Sequence, residues 1–335
     1  MLLIAAACGG ASGSSTASTT ASSATPTTAA NGTSTTTTAS TLATEVELVQ
    51  AVQAAQTIQS VPANLQPGLT STNYSSFPGE KYGPTQCTGT PMNIPGIEKG
   101  ASGDCIYGDP AAKNLVVVYG DSHAGMWAQA VQVIAKEAGW KMELFALPGC
   151  PAPNLSFISY QTHAPNTACD QFHAQAPLAI KALHPAMVVV TSESNQQVAL
   201  GVNATPEQWQ SGLISTFNSL AQPGTSLVMI GDIPEWTTNT AECLAAHMNN
   251  VQACAGTPSK SLSPNLRAEM AASSASSVNY IATESFVCAA MCEPVINNMR
   301  VYLNQFHFTS TYTQYVTGAL QAQLGITPVE ASGPG

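Results

Sequence analysis

The sequence has few charged residues, and basic residues are the scarcer kind. Only 8% of the chain is charged, with 9 Lys and Arg against 19 Asp and Glu and a formal net charge of −10. No basic cluster occurs anywhere along the chain. Because binding to nucleic-acid phosphates depends on Lys and Arg, this composition argues against a nucleic acid as partner.

Long apolar runs are also lacking. No segment approaches the ~20 consecutive apolar residues of a membrane-spanning helix, so none is predicted. Residues 9–44 are almost entirely Ser, Thr, Ala and Gly. Such a segment buries too little apolar surface to offset chain entropy, and we expect a disordered tether. The remaining residues, 45–335, are enough for one large α/β domain or two small ones.

The nine cysteines divide into one isolated residue, Cys8, and an even set of eight. The eight form sequence-local couples: Cys87 with Cys105, Cys150 with Cys169, Cys243 with Cys254, and Cys288 with Cys292. An even set at these spacings, in a chain with so few charges, favours disulfides made in an oxidising compartment. Zinc is the alternative, but there is no C-x2-C pair and no His at ligand spacing, so neither a metal nor another cofactor is expected.

Cys8 ends the short run Ile4-Ala5-Ala6-Ala7-Cys8, which resembles the end of a bacterial lipoprotein signal. In such signals the cysteine is lipidated and becomes the mature N-terminus. Residues 1–8 are therefore predicted to be a signal remnant, and residues 9–44 a spacer that holds the domain off a membrane. The alternative is an unpaired cysteine in a disordered end.

Strands and helices alternate after residue 114. Buried-type runs predict strands at Leu115–Tyr119, Trp140–Ala146, Met187–Thr191, Ser226–Ile230 and Val278–Ile281. Apolar residues at helical spacing predict helices at 45–59, 124–138, 171–183, 206–220, 264–275 and 309–323, whereas residues 61–114 are predicted to be loop. Five short strands with helical crossovers predict an α/β fold, a doubly wound, mostly parallel sheet between two helical layers.

The stretch "VVVYGDSHAGMW", residues 116–127, places polar residues at the end of the first of these strands. Ligands of doubly wound sheets bind beyond the carboxyl ends of the strands. Ser122 lies there, where a helix begins, and its own N–H can point at a developing oxyanion. Since serine needs a neighbouring base to act as a nucleophile, the next question is which histidine serves it.

His307 is the best placed of the six histidines. His123 is adjacent to Ser122, but neighbours in a tight turn usually point apart. The other four, which we expect in loops or on polar helix faces, are His163, His173, His184 and His247. His307 lies in "YLNQFHFTSTY", residues 302–312, just before the last predicted helix. That end of a doubly wound sheet closes back toward the first strand, so His307 is the predicted base.

These motifs resemble the SGNH (GDSL-like) hydrolase superfamily. More specifically, residues 45–325 resemble the SGNH domain attached to acyltransferase-3 family membrane acyltransferases, which modify cell-surface polysaccharides. The similarity rests on the order of these segments and of the eight cysteines among them: "VPANLQPGL", "GDSHAGMW", "GCPAP", "GDIP", "CAAMC" and "YLNQFHFTSTY". The resemblance implies an SGNH hydrolase-like three-layer sandwich over residues 45–335.

The resemblance also implies roles for individual residues. Ser122 would attack an ester and His307 would be its base, giving an acyl-enzyme that water or a sugar hydroxyl then resolves. Gly120 and Asp121 would organise the turn. Superfamily members take their oxyanion donors from a Gly and an Asn after the second and third strands, and Gly149 and Asn195 are the candidates by position.

One position departs from the family pattern. An Asp usually stands three residues before the catalytic His, and here that residue is Asn304. A neutral amide does not stabilise the imidazolium by charge and can hold the wrong tautomer. An Asp-to-Asn change at the matching position of a serine protease lowers the rate by about 10⁴-fold. A Ser–His dyad is the alternative arrangement.

The resemblance therefore predicts an exported, lipid-anchored serine esterase or O-acyltransferase acting on acyl groups of a cell-envelope glycan. Its partners would be an acylated glycan or acyl donor, the outer face of the cell membrane through a lipid on Cys8, and a membrane acyltransferase; without the lipid it would be secreted. The alternative is a binding or accessory domain for a membrane acyltransferase, with a triad weakened at Asn304. A purely structural domain would leave the GDSH motif unexplained.

Overall fold

The computed structural model describes residues 42–71, 86–87, 105–195, 198 and 201–329. The side chains of residues 86, 87, 105, 260 and 261 are outside this description. Cys8, the predicted signal remnant and most of the predicted tether lie outside the described residues, so these assignments stay predictions.

One sheet organises the described part of the chain. Its strands are β1 (Gln86–Cys87), β2 (Cys105–Gly108), β3 (Leu115–Gly120), β4 (Lys141–Ala146), β5 (Met187–Thr191), β6 (Ser226–Ile230) and β7 (Asn279–Ile281), in the order β1-β2-β4-β3-β5-β6-β7. The five strands from β3 to β7 pair in parallel and are the five that the sequence predicts. A small hairpin, β8 (Val295–Ile296) and β9 (Met299–Arg300), lies apart from the sheet.

The helices of the described chain are α1 (Glu45–Ala55), α2 (Ser122–Glu137), α3 (Thr167–Ala182), α4 (Pro206–Leu220), α5 (Thr240–Ala246), α6 (Pro258–Ser261), α7 (Leu266–Ala275), α8 (Ser310–Tyr315) and α9 (Thr317–Leu324). None of them combines the length and apolar character that crossing a bilayer requires.

The sheet is covered on both faces, as the predicted three-layer sandwich requires. Alternate residues of a strand point to opposite faces. In β3, Val116 and Val118 pack with α1, α2 and α9, whereas Val117 and Tyr119 pack with α3, α4 and α7. All six residues of β3 are buried. A strand with two covered faces needs apolar side chains on both, and this explains its continuous apolar sequence.

The structure corrects the prediction that residues 61–114 are loop. Strand β2 lies in this range and pairs antiparallel with β4, with Tyr107 opposite Met142. It also pairs with β1, where Cys87 is opposite Cys105. A four-residue strand has too short a pattern to be recognised by alternation, and β2 owes its conformation to pairing with its neighbours.

The predicted helix at 309–323 is two helices, α8 and α9, that meet at Val316. The Thr317 hydroxyl donates to Thr313 O at 3.0 Å, a local bond that competes with regular helix geometry. Gly318 packs against the N-terminal segment, where a Cβ atom would lie 2.6 Å from Ala43 O. The break therefore coincides with the docking site of the chain before α1.

The tether ends earlier than predicted. Ala43 is buried, and its N–H donates to Tyr315 O at 2.7 Å. Thr44 begins α1 with a capping box, because its hydroxyl accepts from the Glu47 N–H while the Glu47 carboxylate accepts from the Thr44 N–H. The folded domain thus includes residues 43 and 44, which the composition had assigned to the tether.

Disulfides join Cys150 to Cys169, Cys243 to Cys254 and Cys288 to Cys292. These are three of the four sequence-local couples. The side chains of Cys87 and Cys105 are outside the described part of the structure, and their bond stays a prediction.

Candidate active site

The turn that carries Ser122 is held by its neighbours on both sides. Gly120 ends β3 with φ +153°, and a Cβ there would lie 1.8 Å from Thr191 O, so only glycine permits this approach to β5. Asp121 then caps α2 by accepting from the His123 N–H at 2.8 Å. Its other carboxylate oxygen accepts from the Glu193 N–H at 3.0 Å, in the loop after β5. Helix α2 consequently begins at Ser122 instead of at the predicted residue 124.

Ser122 and His307 are brought together across 185 residues of sequence. His307 Nε2 lies 2.9 Å from Ser122 Oγ, within hydrogen-bond distance. Ser122 is half-buried and the His307 side chain is buried. Among the described residues, no hydrogen-bond partner is found for the Ser122 N–H. This geometry suits a nucleophile and its base, with a free N–H at the helix start.

The loop before α8 holds His307 in place. Leu303 N–H donates to His307 O at 2.8 Å, and Phe308 N–H contacts Met126 Sδ of α2 at 3.0 Å. The Phe308 ring packs edge-on against Trp127, also of α2, with centroids 5.7 Å apart. The loop therefore packs directly on the helix that starts at Ser122.

Asn304 occupies the position where the family pattern has Asp, and its amide faces His307. Its Oδ1 accepts from the N–H groups of Phe306 at 3.0 Å and His307 at 2.8 Å. Its Nδ2 lies 3.1 Å from His307 Nδ1, and Oδ1 lies 3.3 Å from the same atom. Because Oδ1 already has two donors, Nδ2 is the better placed of the two to bond Nδ1. An N–H donor at Nδ1 favours the imidazole tautomer with its proton on Nε2, which is the wrong one for a base acting on Ser122.

The oxyanion candidates lie on either side of the nucleophile. Gly149 follows β4 and Asn195 follows β5, the two strands that flank β3. The Gly149 carbonyl accepts from Asn166 Nδ2 at 3.3 Å, and Asn195 Oδ1 accepts from Asn203 Nδ2 at 2.7 Å. These contacts use acceptor atoms of both residues. Their roles as donors to a bound oxyanion stay predictions.

A buried ion pair lies behind the nucleophile turn, and the sequence reasoning missed it. His123 Nδ1 is 2.9 Å from Asp232 Oδ1, and both side chains are fully buried. Asp232 also accepts from the Ser194 N–H at 2.7 Å, the Ser194 hydroxyl at 2.6 Å and the Ile233 N–H at 2.8 Å. The signal that could have found Asp232 is its position in "GDIP", directly after a buried strand, as Asp121 follows β3.

The pair shifts the titration of both histidines. Burial, the largest single influence, lowers the pKa of His123, but the charge and hydrogen bond of Asp232 together with the charges of Asp121 and Glu193 outweigh burial and raise this pKa to about 10. Burial, and after it the charge of His123, lower the pKa of His307 to about 3. The two rings meet edge to face, with centroids 5.1 Å apart. His307 is therefore neutral at physiological pH, as a base must be.

His173 departs from its predicted place on a polar surface. It is buried in α3, beside the disulfide of Cys150 and Cys169, although no His was expected at ligand spacing from the cysteines. Its Nε2 lies 2.8 Å from Pro151 O. Because the two sulfurs bond each other and Nε2 has a carbonyl partner, this cluster is part of the core instead of a metal site.

The sequence profile described as "SGNH domain (fused to AT3 domains)" matches residues 86–322. The chain belongs to this family. Solved structures also resemble the domain. The Salmonella ser. Paratyphi A lipopolysaccharide acetyltransferase periplasmic domain is 14% identical, with a TM-score of 0.51 over 64% of this chain and 85% of that one.

A GDSL-like lipase from Bacteroides thetaiotaomicron is 16% identical to the SGNH domain described here, with a TM-score of 0.40 over 63% of this chain and 86% of that one. A search of the curated proteins found no match. The family is thus established by its sequence profile, and at 14% identity the acetyltransferase domain supports the fold alone.

Proposed function

We propose that this SGNH domain is an extracytoplasmic serine esterase or O-acyltransferase that works through an acyl-enzyme on Ser122. The observation that carries the proposal is the 2.9 Å contact between Ser122 Oγ and His307 Nε2 at the carboxyl edge of the sheet. A cell-envelope glycan is the proposed carrier of the acyl group. Membership of a family described as fused to AT3 domains supports this substrate class, and so does the fold shared with a lipopolysaccharide acetyltransferase domain.

The proposed reaction has two halves. Ser122 Oγ attacks the ester carbonyl carbon while His307 Nε2 takes the hydroxyl proton, and the resulting oxyanion is stabilised by N–H donors such as that of Ser122. The C–O bond of the leaving alcohol then breaks, and His307 returns the proton to its oxygen. In the second half, water or a sugar hydroxyl loses its proton to His307 and attacks the acyl carbon. The bond between the acyl group and Ser122 Oγ then breaks, and His307 returns the proton to that oxygen.

His307 must carry its proton on Nδ1 to start this cycle, and Asn304 opposes that tautomer. This observation favours a second candidate function, an SGNH-fold binding or accessory domain that holds acylated glycan for a membrane acyltransferase. Both candidates place the ligand at the carboxyl edge of the sheet, so turnover at Ser122 is what separates them.

The first experiment treats the purified protein with a fluorophosphonate probe and with 4-nitrophenyl acetate. We expect labelling and acetate release in the wild type, and loss of both in Ser122→Ala. Ser211→Ala is the matched control, because Ser211 is an exposed helical serine that bonds only carbonyls of its own helix. Absence of labelling in folded wild-type protein would reject the enzyme and favour the accessory domain.

We also propose that a lipid on Cys8 anchors the domain to the membrane. The Ala-Ala-Ala-Cys sequence supports it, as do the disulfides, which form in oxidising compartments. Cells expressing the chain with Cys8→Ser should release it from the membrane fraction and lose incorporation of labelled fatty acid. A Cys8→Ser protein that still fractionates with the membrane would argue against the lipid.

A further inference from the structure

The His123–Asp232 pair connects three segments at the carboxyl edge of the sheet. His123 belongs to the nucleophile turn after β3, Asp232 to the loop after β6, and Ser194, which Asp232 accepts from twice, to the loop after β5. Asp121 adds a second link from the turn to the β5 loop through Glu193. Isolated buried charges are costly, and a buried pair that is broken destabilises a protein strongly. The pair is therefore a rigid junction beneath Ser122.

The same pair also lies against the proposed base. The residue at the third triad position, Asn304, is neutral, whereas the His123 ring lies 5.1 Å from the His307 ring. A unit charge at roughly 5 Å and an effective dielectric constant of about 20 changes a pKa by about 2 units. Fixed charge thus reaches His307 from the nucleophile helix and not from the base's own loop.

We propose that His123, held by Asp232, is the positioning residue of this site: it fixes the nucleophile turn to the two neighbouring loops, and its charge adds to the effect of burial in keeping His307 neutral. The catalytic part of this role rests on the proposed function, in which Ser122 is the nucleophile and His307 its base. His123 itself touches neither substrate nor the reacting atoms.

Other titratable groups surround the pair, and their charges decide which carboxylate balances His123. The groups facing His123 and His307 are Asp121, Glu193, Asp232, Glu235 and Glu269. Burial, and then the charge of Asp232, raise the pKa of Glu235 to about 9 and that of Glu269 well above its usual range. Burial raises the pKa of Asp121 to about 6. Glu235 is thus protonated at neutral pH and Glu269 is shifted toward its protonated form, and Asp232 is the anion in contact with His123.

The test follows the histidines by NMR in the full chain labelled with ¹⁵N-histidine, which needs no turnover. In the wild type we expect both His123 nitrogens to be protonated at pH 7 and His307 to be neutral down to low pH. His123→Asn places an amide N–H where Nδ1 was, so it keeps a donor to Asp232 and removes only the charge. Because loss of a neighbouring cation favours protonation, the midpoint of His307 should rise by about 2 pH units.

Asp232→Asn provides a second variant with a different expectation. It removes an anion near His307 and also lets the desolvated His123 become neutral, and these two changes oppose each other. The midpoint of His307 should therefore move less than in His123→Asn. His173→Asn is the matched control: it replaces another buried histidine, remote from Asp232, and should leave the His307 titration unchanged.

A neutral His123 in the wild type at pH 7, or an unchanged His307 midpoint in folded His123→Asn, would overturn the proposal. If the wild type turns over ester, the acid limb of kcat/KM should shift upward with the NMR midpoint in His123→Asn. If it shows no Ser122-dependent turnover, the proposed function fails, while the NMR titration still decides the role of His123.

Discussion

The nucleophile side and the base side of the candidate site are held in place by different kinds of side chain. On the nucleophile side, the carboxylates of Asp121 and Asp232 accept from backbone N–H groups of three segments, and Asp232 pairs with His123. On the base side, the loop that carries His307 is organised by a neutral amide, Asn304, which accepts from two N–H groups of its own loop.

The comparison shows that a side chain can hold its neighbours in position without also supplying a charge to them. Carboxylates form stronger hydrogen bonds than amides, and in a buried site they also fix the protonation of what they touch. In the nucleophile turn, the carboxylates supply both the stronger hydrogen bonds and the fixed protonation. The base loop obtains its position from local bonds and aromatic packing, such as the Phe308–Tyr302 contact at 5.3 Å, and has no charge of its own next to His307. The two sides therefore respond differently to substitution.

The largest expected effect is on the nucleophile side. Asp232→Ala leaves His123 buried without its partner and frees the Ser194 N–H, so the free energy of unfolding should fall by about 3–5 kcal/mol. Asp170→Ala is the control, since Asp170 is an exposed carboxylate that accepts one hydrogen bond, from Ser156, and should lose less than about 1 kcal/mol. Urea unfolding at pH 7 measures both. Equal losses would mean that the buried Asp232 contributes no more to stability than an exposed carboxylate does.

The fold was largely predictable because its strands are buried on both faces. Strands β5 and β6 have the predicted bounds, since each contains an apolar run, such as residues 187–190 in β5, that ends at a polar loop. Short elements that depend on a partner, namely β2 and the break at Val316, were not predictable, because their own sequences do not specify them.

The site was predictable only in part. The Ser122–His307 contact followed from topology, because both residues lie at the edge where parallel strands end. The His123–Asp232 pair did not, since a histidine beside the nucleophile has no pattern that shows which way its ring points. Sequence spacing within a turn does not reveal which way a side chain points. Here the His123 ring points into the core, toward the loop after β6.

A smaller effect, on kcat, is expected from substitution on the base side. It tests most directly whether that side lacks the charge that the nucleophile side has. Asn304→Asp replaces Nδ2 by an oxygen that accepts the His307 Nδ1 proton, which restores the base tautomer and stabilises the imidazolium; kcat should rise by about 10- to 100-fold, within the about 10⁴-fold span known for this change. Asn304→Ala, which removes the Nδ2 and Oδ1 contacts with His307 Nδ1, is the control. A gain in the Asn304→Asp variant that the alanine variant does not share would mean a weakened triad. Unchanged kcat in both would mean that Ser122 and His307 act as a dyad, oriented from the nucleophile side alone.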